Sequence, residues 1–576
     1  MKLLIQKAIL ANILLFIGYS LSAGEIKIKI DKRYLNIPVS HKEDRHKMTF
    51  EVKGQPALSV VIRLAPDEAD YWVFKDVSNL KGKTLTISYE GNEKGLSNIY
   101  QDDNIKGEDN LYKENNRPQF HFTTKRGWIN DPNGLVYYDG EYHLFHQYNI
   151  NEQIYWGHAV STDLVHWKRL PNAIAPDEIG QIWSGSAVVD EENHRMAAFF
   201  TYSEHVTGRQ SQGAAFSYDK GRTWEKYEKN PILTDERPDF RDPKVFRYED
   251  KWVMVVTGGD CVILYESQDL IHWEKMSFFA GTADDHSGVW ECPDLFPMTI
   301  GETGENKWVL TISISDGSPA GGTGMKYFVG EFDGRSFKTV EDQPEGSWVD
   351  YGKDFYAGVT WNHVPDGRRL MIAWADNWQY RDDMPTSPFK GQMSSVRELK
   401  LKKKGSRYLL VQQPVEELQS LRKNEREMRN IKMGAGEEWT ICNQADVLEL
   451  LISYPTEKIH APAFGIRIST GMGKQFEITF CKNERICYVD RMNAGVNGQE
   501  KFPGKYKAAV DFDEEYLNVR LLLDVSQSEL FINDGEVVMT NLFFPEELYQ
   551  VKLFTLDGDL EIAKSYIYEM DENVVC

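Results

Sequence analysis

The chain is poor in cysteine. It has six cysteines among 576 residues, and one of them, Cys292, directly follows the acidic residue Glu291. Exported domains that depend on disulfides carry cysteine at a much higher density. The spacing of the cysteines also offers no convincing metal site. The sequence therefore argues against a disulfide framework, and we expect neither a bound metal nor another cofactor.

Positive charge is scarce as well. The chain has 66 Lys and Arg residues against 88 Asp and Glu residues, which gives a formal net charge of −22 at pH 7. Because like charges repel, this balance disfavours nucleic acid and anionic membrane surfaces as partners. A neutral polysaccharide is indifferent to it, and the aromatic content of 12% suits stacking against sugars.

Long apolar runs are absent beyond the N-terminus. Lys2 and Lys7 precede an apolar run over residues 8–17, and small residues follow as far as Ala23. This order is typical of a secretory signal peptide, which we predict over residues 1–23. An uncleaved anchor and a lipoprotein anchor are disfavoured, because the run is short and no cysteine lies near the cleavage point. No later stretch is apolar enough to span a membrane, so we expect export to the periplasm or the exterior.

Helical periodicity is rare, and alternating strand-like segments dominate. Such segments begin at residues 25–30 and predict a small N-terminal β accessory domain with its linker over 24–116, the polar linker starting near Gly91. The charged segment 416–430 is predicted to be a helix or a linker. Many alternating strands follow over 431–576, so the chain is long enough for several β domains.

An internal repeat gives independent evidence of architecture. The pattern Ser-x-Asp followed by Trp recurs, and successive serines lie 56 and 50 residues apart. That period is about one four-stranded propeller blade. The copies are Ser161-Thr162-Asp163 with Trp167, Ser217-Tyr218-Asp219 with Trp224, Ser267-Gln268-Asp269 with Trp273, and a degenerate fourth around Asp333 and Phe337.

The repeat also has a register. From each closing aromatic residue, 17 or 18 residues lead to a marked position: Ser184, Asp242, Glu291 and Asp354. If each repeat is a turn between outer strands, the next strand in sequence is the innermost strand of the following blade. Inner strands would then start near residues 131, 184, 242, 291 and 354, which predicts five blades. The Asp residues of the repeats are expected to bond their own turns and have no catalytic role.

Three acidic residues stand in short motifs of their own. Asp131 lies in Trp-Ile-Asn-Asp-Pro-Asn-Gly, Asp242 in Arg-Asp-Pro and Glu291 in Trp-Glu-Cys-Pro-Asp. Each motif alone is more typical of a tight turn than of a catalytic site. Together they supply the two carboxyl groups that glycoside hydrolysis requires, one to attack carbon and one to protonate the leaving oxygen.

The order and the residue sequences of these motifs resemble those of glycoside hydrolase family 32, the invertase, inulinase and levanase family. The resemblance covers roughly residues 117–420, and a weaker resemblance extends towards the C-terminus. It implies an all-β protein: a five-bladed β-propeller over 117–420, then a C-terminal β-sandwich over 431–576. The small N-terminal β domain is additional to it.

The resemblance also implies a reaction, the retaining hydrolysis of a β-fructofuranoside. Asp131 would be the nucleophile, Glu291 the acid and base, and Asp242 the stabiliser of the transition state. Arg241 would orient the acids and bind hydroxyls. Burial beside Trp290 and Cys292, with carboxylates nearby, is expected to raise the pKa of Glu291.

Further positions match the family's sugar pocket. The resemblance assigns substrate contacts to Asn130, Gln147, Trp156, Trp183, Ser184, Arg241, Asp354, Tyr356 and Trp378. Each of the tryptophans has an alternative role as packing between blades, and His158 is open to either interpretation. The chain departs from the family at Arg247, where many members have Trp. This difference affects the local packing and leaves the three acids intact.

Three alternatives stay open. A fructosyltransferase would use the same acids and differ only in the acceptor. A five-bladed relative acting on arabinans or xylans would also carry three acids, but it normally lacks the Asp131 motif. A non-catalytic cell-surface glycan-binding protein should have lost an acid, and none is missing.

The choice among levan, inulin and sucrose lies in loops that one sequence does not reveal. Residues 371–380 resemble exo-acting more than endo-acting fructanases, so we expect fructose release from a fructan or fructo-oligosaccharide. The oligomeric state is not indicated.

Overall fold

In the computed structural model, almost all regular structure is β-strand. The structure describes residues 24–571, apart from residues 41, 55–56, 151–152, 206, 283–284, 302, 446 and 496–498. The predicted signal peptide over 1–23 lies outside the described residues. The chain divides into two compact units, Met1–Asp109 and Asn110–Cys576.

The first unit contains two antiparallel sheets. Its strands are β1 (Gly24–Lys29), β2 (Tyr34–Val39), β3 (His46–Val52), β4 (Leu58–Ile62), β5 (Tyr71–Asp76), β6 (Thr84–Tyr89) and β7 (Tyr100–Asp102). The sheet orders are β1-β6-β3-β4 and β5-β2-β7. Alternation buries Leu85 and Ile87 of β6, whereas β2 is buried continuously from Leu35 to Val39. The segment predicted as a linker after Gly91 is therefore partly structured, because β7 pairs with β2.

The second unit begins with five blades, as the repeat predicts. Blade 1 contains β8 (Gly127–Tyr138), β9 (Glu141–Asn149), β10 (Ile154–Ser161) and β11 (Lys168–Ile174). Blade 2 contains β12 (Gly180–Asp190), β13 (Arg195–Glu204), β14 (Gln210–Ser217), β15 (Glu225–Lys226) and β16 (Leu233–Thr234). Blade 3 contains β17 (Phe240–Tyr248), β18 (Lys251–Gly258), β19 (Val262–Ser267) and β20 (Glu274–Phe279).

The last two blades follow the same pattern. Blade 4 contains β21 (Trp290–Thr299), β22 (Asn306–Ile314), β23 (Gly324–Phe332), β24 (Phe337–Thr339) and β25 (Ser347–Trp348). Blade 5 contains β26 (Tyr356–Thr360), β27 (Arg369–Trp374), β29 (Arg397–Lys404) and β30 (Arg407–Pro414). Between β27 and β29 in sequence, β28 (Phe389–Lys390) pairs in parallel with β8 of blade 1. The inner strands β8, β12, β17, β21 and β26 lie side by side in a ring.

Each inner strand carries an irregularity at the same place. The pairing register shifts between Ile129 and Pro132, and equivalent shifts occur near the start of the other four inner strands, between Ile182 and Gly185, Arg241 and Lys244, Glu291 and Asp294, and Tyr356 and Val359. Such bulges bend a strand and redirect the side chain at the extra residue. The bulges therefore lie together at one end of the central channel, which we call the channel mouth.

The closing aromatic residues of the repeats pack between blades, as predicted. Trp224 of blade 2 meets Phe145 of blade 1 edge to face at 5.6 Å, and Trp273 of blade 3 meets Phe199 of blade 2 at 5.9 Å. The ring of Trp167 in blade 1 is stacked at 6.3 Å against the ring of Trp361, which follows β26 of blade 5. Aromatic pairs of this kind add to the buried apolar area that holds the ring together.

The Asp residues of the repeats form turns. Asp163 Oδ1 accepts hydrogen bonds from the backbone N–H groups of Val165 and His166 at 3.0 and 2.8 Å, and Asp269 makes the matching bonds. These carboxylates fix local backbone donors. They lie in the turns between the third and fourth strands of their blades.

A β-sandwich follows the propeller. Its strands are β31 (Arg422–Met433), β32 (Glu438–Ala445), β33 (Leu448–Pro455), β34 (Ala463–Thr470), β35 (Gln475–Cys481), β36 (Ile486–Asn493), β37 (Lys505–Ala509), β38 (Tyr516–Leu523), β39 (Gln527–Ile532), β40 (Val537–Leu542), β41 (Tyr549–Leu556) and β42 (Leu560–Met570). The sheet orders are β31-β42-β33-β38-β39-β40 and β32-β41-β34-β35-β36-β37.

The charged segment 416–430 forms a short 3₁₀ helix, Glu416–Leu421, and then enters β31. The prediction of a helix or linker over this segment is therefore wrong beyond Leu421. The segment is an edge strand, and charged side chains are common on such edges because they discourage pairing with other molecules. Other 3₁₀ turns are Ser78–Leu80, Glu93–Asn98, Glu108–Asn110, Arg381–Asp383, Thr456–Lys458 and Asn533–Gly535.

Buried ion pairs connect the propeller with the sandwich. Glu529 of β39 accepts hydrogen bonds from Arg397 Nη2 at 2.6 Å and from the Ser395 N–H at 2.7 Å. His121 Nε2 lies 2.7 Å from Glu529 Oε1, and its Nδ1 lies 2.8 Å from Asp524 Oδ2. Buried charges need such partners. Within the described part of the chain, no helix is long and apolar enough to cross a membrane.

Candidate active site

Asp131 lies in the bulge of β8, buried at the channel mouth. Its Oδ2 accepts hydrogen bonds from Ser184 Oγ at 2.6 Å and from Gln147 Nε2 at 3.0 Å. Its Oδ1 accepts one from Asn130 Nδ2 at 3.1 Å. Three predicted site residues therefore fix the direction of both carboxyl oxygens.

Asp242 lies in the bulge of β17, with a left-handed backbone at φ 65°. Its Oδ2 accepts a hydrogen bond from the backbone N–H of Cys292 at 2.9 Å. The Cys292 sulfur lies 3.6 Å from Oδ2 of Asp242 and 3.6 Å from Oδ2 of Asp131. One thiol thus bridges the carboxyl groups of two blades.

Glu291 begins the bulge of β21, and Arg241 holds one of its oxygens. Arg241 Nε and Nη2 donate to Glu291 Oε1 at 3.3 and 3.2 Å. The hydroxyl of Tyr356, at the start of β26, donates to Glu291 Oε2. Arg241 is itself held by Asp239 and by Gln210, whose Oε1 lies 3.2 Å from Nη1. The guanidinium therefore orients an acid in the next blade.

Burial raises the pKa of all three acids, and repulsion between carboxylates adds to the rise at Asp242 and Glu291. Burial raises the pKa of Asp242 to about 7, with Glu291 and Asp131 adding to the rise and Arg241 opposing it. Burial also raises the pKa of Glu291, which Arg241 opposes and the charge of Asp131 increases. Asp131 shifts upward for the same reason, although the donors Ser184 and Asn130 favour its ionised form. Removal from water disfavours the charged form of a carboxyl group.

The Cys292 thiol is held protonated. Burial raises its pKa well above the ordinary value, and the three neighbouring carboxylates raise it further. A protonated thiol can donate weakly to a carboxylate. Cys292 is therefore a spacer and donor between two acids, and its surroundings keep it from acting as a nucleophile.

Aromatic rings line the mouth beside Asp131. Trp128 Nε1 donates to Asn130 Oδ1 at 2.9 Å, and the Trp128 ring is stacked against Trp378 at 6.3 Å. The Arg381 guanidinium lies over the ring of Trp378 at 3.9 Å. Half-buried rings and a guanidinium next to hydrogen-bonding groups form a surface suited to a polar ring-shaped ligand.

Two of the residues predicted as substrate contacts lie elsewhere. Trp156 is buried among Phe145, Phe200 and other residues between blades 1 and 2, and its Nε1 donates to the Trp183 carbonyl at 2.8 Å. Asp354 is buried and pairs with Arg491 of the sandwich, Oδ2 to Nη1 2.6 Å, and it also accepts from Tyr380. Packing between blades and anchoring of the sandwich account for these two residues.

The other predicted residues lie at or beside the three acids. Asn130, Gln147 and Ser184 touch Asp131, whereas Arg241 and Tyr356 touch Glu291. Trp378 belongs to the aromatic mouth, and Trp183 directly precedes Ser184 in the bulge of β12. His158 is buried against His143, with 3.0 Å between Nε2 and Nδ1, so it is a structural residue.

Trp290 was expected to line the site, but it does not. Its indole is buried in a hydrophobic cluster with Phe328 and Leu310, and its Nε1 donates to the Asp285 carbonyl at 3.0 Å. Successive residues of a strand point to opposite faces, so Trp290 and Glu291 cannot share one. The pKa of Glu291 is raised by its burial and by the charge of Asp131.

Comparison with known proteins identifies the family. Residues 121–414 match the model for the glycosyl hydrolases family 32 N-terminal domain, and residues 417–569 match that for the family 32 C-terminal region. The chain belongs to glycosyl hydrolase family 32. It is therefore a glycosidase, and the predicted propeller-plus-sandwich fold is confirmed.

Several relatives within family 32 share most of the chain. A levanase of Bacillus subtilis (strain 168) is 39% identical over 480 residues, which cover 79% of this chain and 71% of the levanase. The crystal structure of an exo-inulinase from Aspergillus awamori superposes with a TM-score of 0.74 at 30% identity, covering 80% of this chain and 99% of the inulinase. A β-fructofuranosidase from Schwanniomyces occidentalis, complexed with fructosyl-erythritol, gives 0.73 at 32% identity with the same coverage.

Sequence reasoning missed some residues of this family 32 site. Trp128 lies inside the Asp131 motif, so its position at the mouth could have been inferred from its neighbour. Arg381 had no such signal, because it lies in a short 3₁₀ turn after β27, outside the repeat and the acidic motifs. Among the described residues, no group of three or more His, Cys, Asp or Glu side chains could hold a metal ion.

Proposed function

We propose that this enzyme hydrolyses β-fructofuranosidic bonds with retention of configuration, using Asp131, Glu291 and Asp242. The observation that carries the proposal is the joining of three carboxyl groups from blades 1, 3 and 4 by Cys292 and Arg241, with Asp131 and Asp242 buried and Glu291 20% exposed. Retaining hydrolysis needs one carboxylate to attack the anomeric carbon and one carboxylic acid beside the leaving oxygen. The cluster supplies both.

Asp131 is the proposed nucleophile. Donors from Ser184, Gln147 and Asn130 hold both of its oxygens and favour its ionised form. A fixed, ionised carboxylate can form the covalent fructosyl intermediate without first reorganising. It lies beside the aromatic mouth through which we propose that a terminal sugar ring enters.

Glu291 is the proposed acid and base. Its raised pKa keeps a proton available to the leaving oxygen, and the same group then takes a proton from the incoming water. Arg241 and Tyr356 hold the two oxygens in place. Loss of the Asp131 charge in the covalent intermediate would remove one cause of the raised pKa, so Glu291 stays ionised and able to accept a proton at the step that needs a base.

Asp242 is the proposed stabiliser of the transition state. It is buried, and its backbone N–H is held by Thr201 Oγ1 at 2.8 Å. A carboxylate in this setting can hold ring hydroxyls and complement the positive charge that develops on the sugar ring. Arg241, with Nε 3.9 Å from Asp242 Oδ2, favours the ionised form.

The substrate class comes from the relatives. The similar proteins are named levanase and exo-inulinase, so we infer a fructan or fructo-oligosaccharide substrate, cleaved by hydrolysis rather than transfer. The Aspergillus awamori relative is named extracellular, which supports the export predicted from residues 1–23. Exo attack is part of this proposal and rests on residues 371–380.

Substitution of Asp131 tests the proposal. Asp131→Asn keeps the size but removes the attacking carboxylate, so turnover on levan should fall at least ~10³-fold with the melting temperature nearly unchanged. The control is Asp219→Asn, which alters a turn carboxylate of blade 2 and should retain turnover. A folded Asp131→Asn enzyme with normal turnover would remove Asp131 from the mechanism. Chromatography of the products from levan and inulin reports the linkage preference and the mode of attack.

A further inference from the structure

A second cavity lies at the opposite end of the propeller channel. Its volume is about 560 Å³, and it is formed where the inner strands β12, β17 and β21 end, whereas the acids lie near the starts of the inner strands. The segment after β26 closes it on the remaining side through Asn362, His363 and Arg369. Ligand sites in proteins commonly have volumes of ~300–1,000 Å³.

Buried polar groups separate this cavity from the acids. Lys244 Nζ donates to Asp294 Oδ2 at 2.9 Å and to the Thr360 carbonyl at 2.7 Å across the channel. Asn362 Nδ2 donates to the carbonyls of Ala187 at 2.8 Å and Val245 at 3.0 Å. These bonds join four inner strands or their ends. The cavity is therefore a separate compartment and not a branch of the catalytic pocket.

The walls of the cavity are aromatic. Trp308 lies on one side, with its ring 5.8 Å from both Phe246 and Tyr248. Trp252 and Phe296 complete the apolar lining. Flat aromatic faces pack well against the C–H groups of a sugar ring.

Two guanidinium groups add donors. Within the described residues, the one hydrogen bond of the Arg369 guanidinium is a long one, from Nη1 to Thr360 Oγ1 at 3.4 Å, and its buried Nε has no partner. Arg369 also lies over the Phe296 ring at 4.9 Å. Arg247, the residue that departs from the family's Trp, lies over the Trp252 ring at 5.0 Å. Arg247 is 38% exposed and pairs with Glu192 at 3.6 Å, so the unused buried donor in this wall is the Nε of Arg369. A buried guanidinium with an unused N–H donor favours an oxygen-rich ligand.

The rim supplies acceptors and an opening. Glu191 and Glu192 have side chains that are 76% and 82% exposed, and Glu249 lines the cavity near them. Carboxylates at the rim repel an anionic ligand, and the guanidinium groups disfavour a purely apolar one. Hydroxyl groups donate to carboxylates and accept from guanidinium groups, so both sets can be satisfied by one polyhydroxyl ligand.

We propose that this cavity is a non-catalytic binding site for a neutral sugar unit of a glycan. It would hold a second segment of polysaccharide at the far end of the channel while the acids process a chain end. Such a second contact raises the effective concentration of a polymer at the enzyme and does nothing for a short substrate. The inference rests on the glycan substrate class and not on the roles of the individual acids.

Binding stoichiometry tests the inference. Titration calorimetry of the full chain carrying Asp131→Asn, with fructose, sucrose and tetrasaccharides cut from levan and from inulin, should show two sites for at least one of these probes. Adding Trp308→Ala or Arg369→Gln should remove one site and leave the other. Trp439→Ala, which changes a Trp that is 38% exposed on the sandwich, is the matched control and should retain both. Melting temperatures establish that each variant is folded.

Activity gives a second readout in enzyme with intact acids. Arg247→Ala, which changes a wall without altering the buried core, should raise KM for levan at least threefold and leave kcat and KM for sucrose unchanged. One site per chain with every probe, or two sites that persist in folded Trp308→Ala and Arg369→Gln, would overturn the inference. Fructose release, followed during the titrations, reports separately on the proposed role of Asp131.

Discussion

At Glu291, Arg241 donates to one carboxyl oxygen and Tyr356 to the other, so the carboxyl group is held in place while its burial raises its pKa. Glu291→Ala should lower turnover on levan by ~10²–10⁴-fold, because proton transfer to the leaving oxygen is lost. An activated fructoside, whose leaving group needs little protonation, should lose far less, and azide should restore part of its rate. Parallel rate measurements on both substrates check this.

The control for Glu291 is Glu331→Ala, which removes a carboxylate that is 63% exposed on an outer strand. It should leave both rates unchanged. Equal losses on levan and on the activated fructoside in Glu291→Ala would contradict the acid and base role.

Asp242 offers a different test, because its proposed role involves no bond and no proton transfer. Asp242→Asn keeps the shape but removes the charge that complements the transition state, so kcat should fall ~10²–10³-fold with KM nearly unchanged. Steady-state kinetics and a melting curve on one preparation suffice. A destabilised variant with full turnover would show that Asp242 has only a structural role.

Most of the predicted residues that lie at the three acids stand in or beside a motif at a strand start marked by the repeat, whereas Gln147 lies within β9 and Trp378 follows β27. Asp354 fits the same count but lies before β26, which begins at Tyr356. Tyr356 occupies the position at the mouth, and Asp354 turns to Arg491. A spacing of 17 residues cannot distinguish these two positions, because two residues of loop decide which one enters the strand.

At the scale of the element, the bulge of each inner strand is the decisive feature. Gly185 shows how tight it is, since a Cβ there would lie 1.9 Å from the Phe199 carbonyl oxygen. Sequence periodicity predicted the five inner strands but not their bulges, because a bulge changes the pairing by a single residue without altering the apolar alternation. The direction of Asp131, Asp242 and Cys292 depends on that single residue.

Gly185→Ala should therefore displace the bulge of β12 and with it Ser184, which bonds Asp131. We expect a stability loss of ~1–3 kcal/mol from overpacking and a marked fall in turnover. Gly301→Ala is the matched control, because a Cβ there meets nothing within 4 Å. Denaturant melts and turnover measured together check both effects, and an unchanged Gly185→Ala enzyme would contradict the role assigned to the bulge.

At the scale of the whole second unit, His121 couples the propeller to the sandwich. Burial lowers the pKa of His121, but its bonds to Asp524 and Glu529 outweigh this and raise it to about 9. A folded-state pKa above the ordinary 6.5 contributes stability that is complete below pH 6.5 and is lost as pH rises through 9. The shift corresponds to about 3 kcal/mol as an order of magnitude.

The free energy of unfolding should thus decline between pH 6.5 and 9.5, and His121→Gln should flatten that decline. Chemical denaturation at a series of pH values measures the slope. His272→Gln, in a turn where the side chain is 85% exposed, should keep the slope of the unsubstituted enzyme. If His121→Gln keeps it as well, His121 is not the group responsible.

The segment between β27 and β29 has two tasks at once. It brings β28 alongside β8, where Phe389 pairs with Gly127 and Lys390 with Trp128, and it also carries Trp378 and Arg381 to the mouth. The stretch of chain that joins the last blade to the first is thus the same one that carries Trp378 and Arg381 beside the acids. A change that reshapes it for a new linkage will also alter the seam of the ring. Under the proposed role of this stretch, changes that alter linkage specificity have to preserve the pairing of β28 with β8.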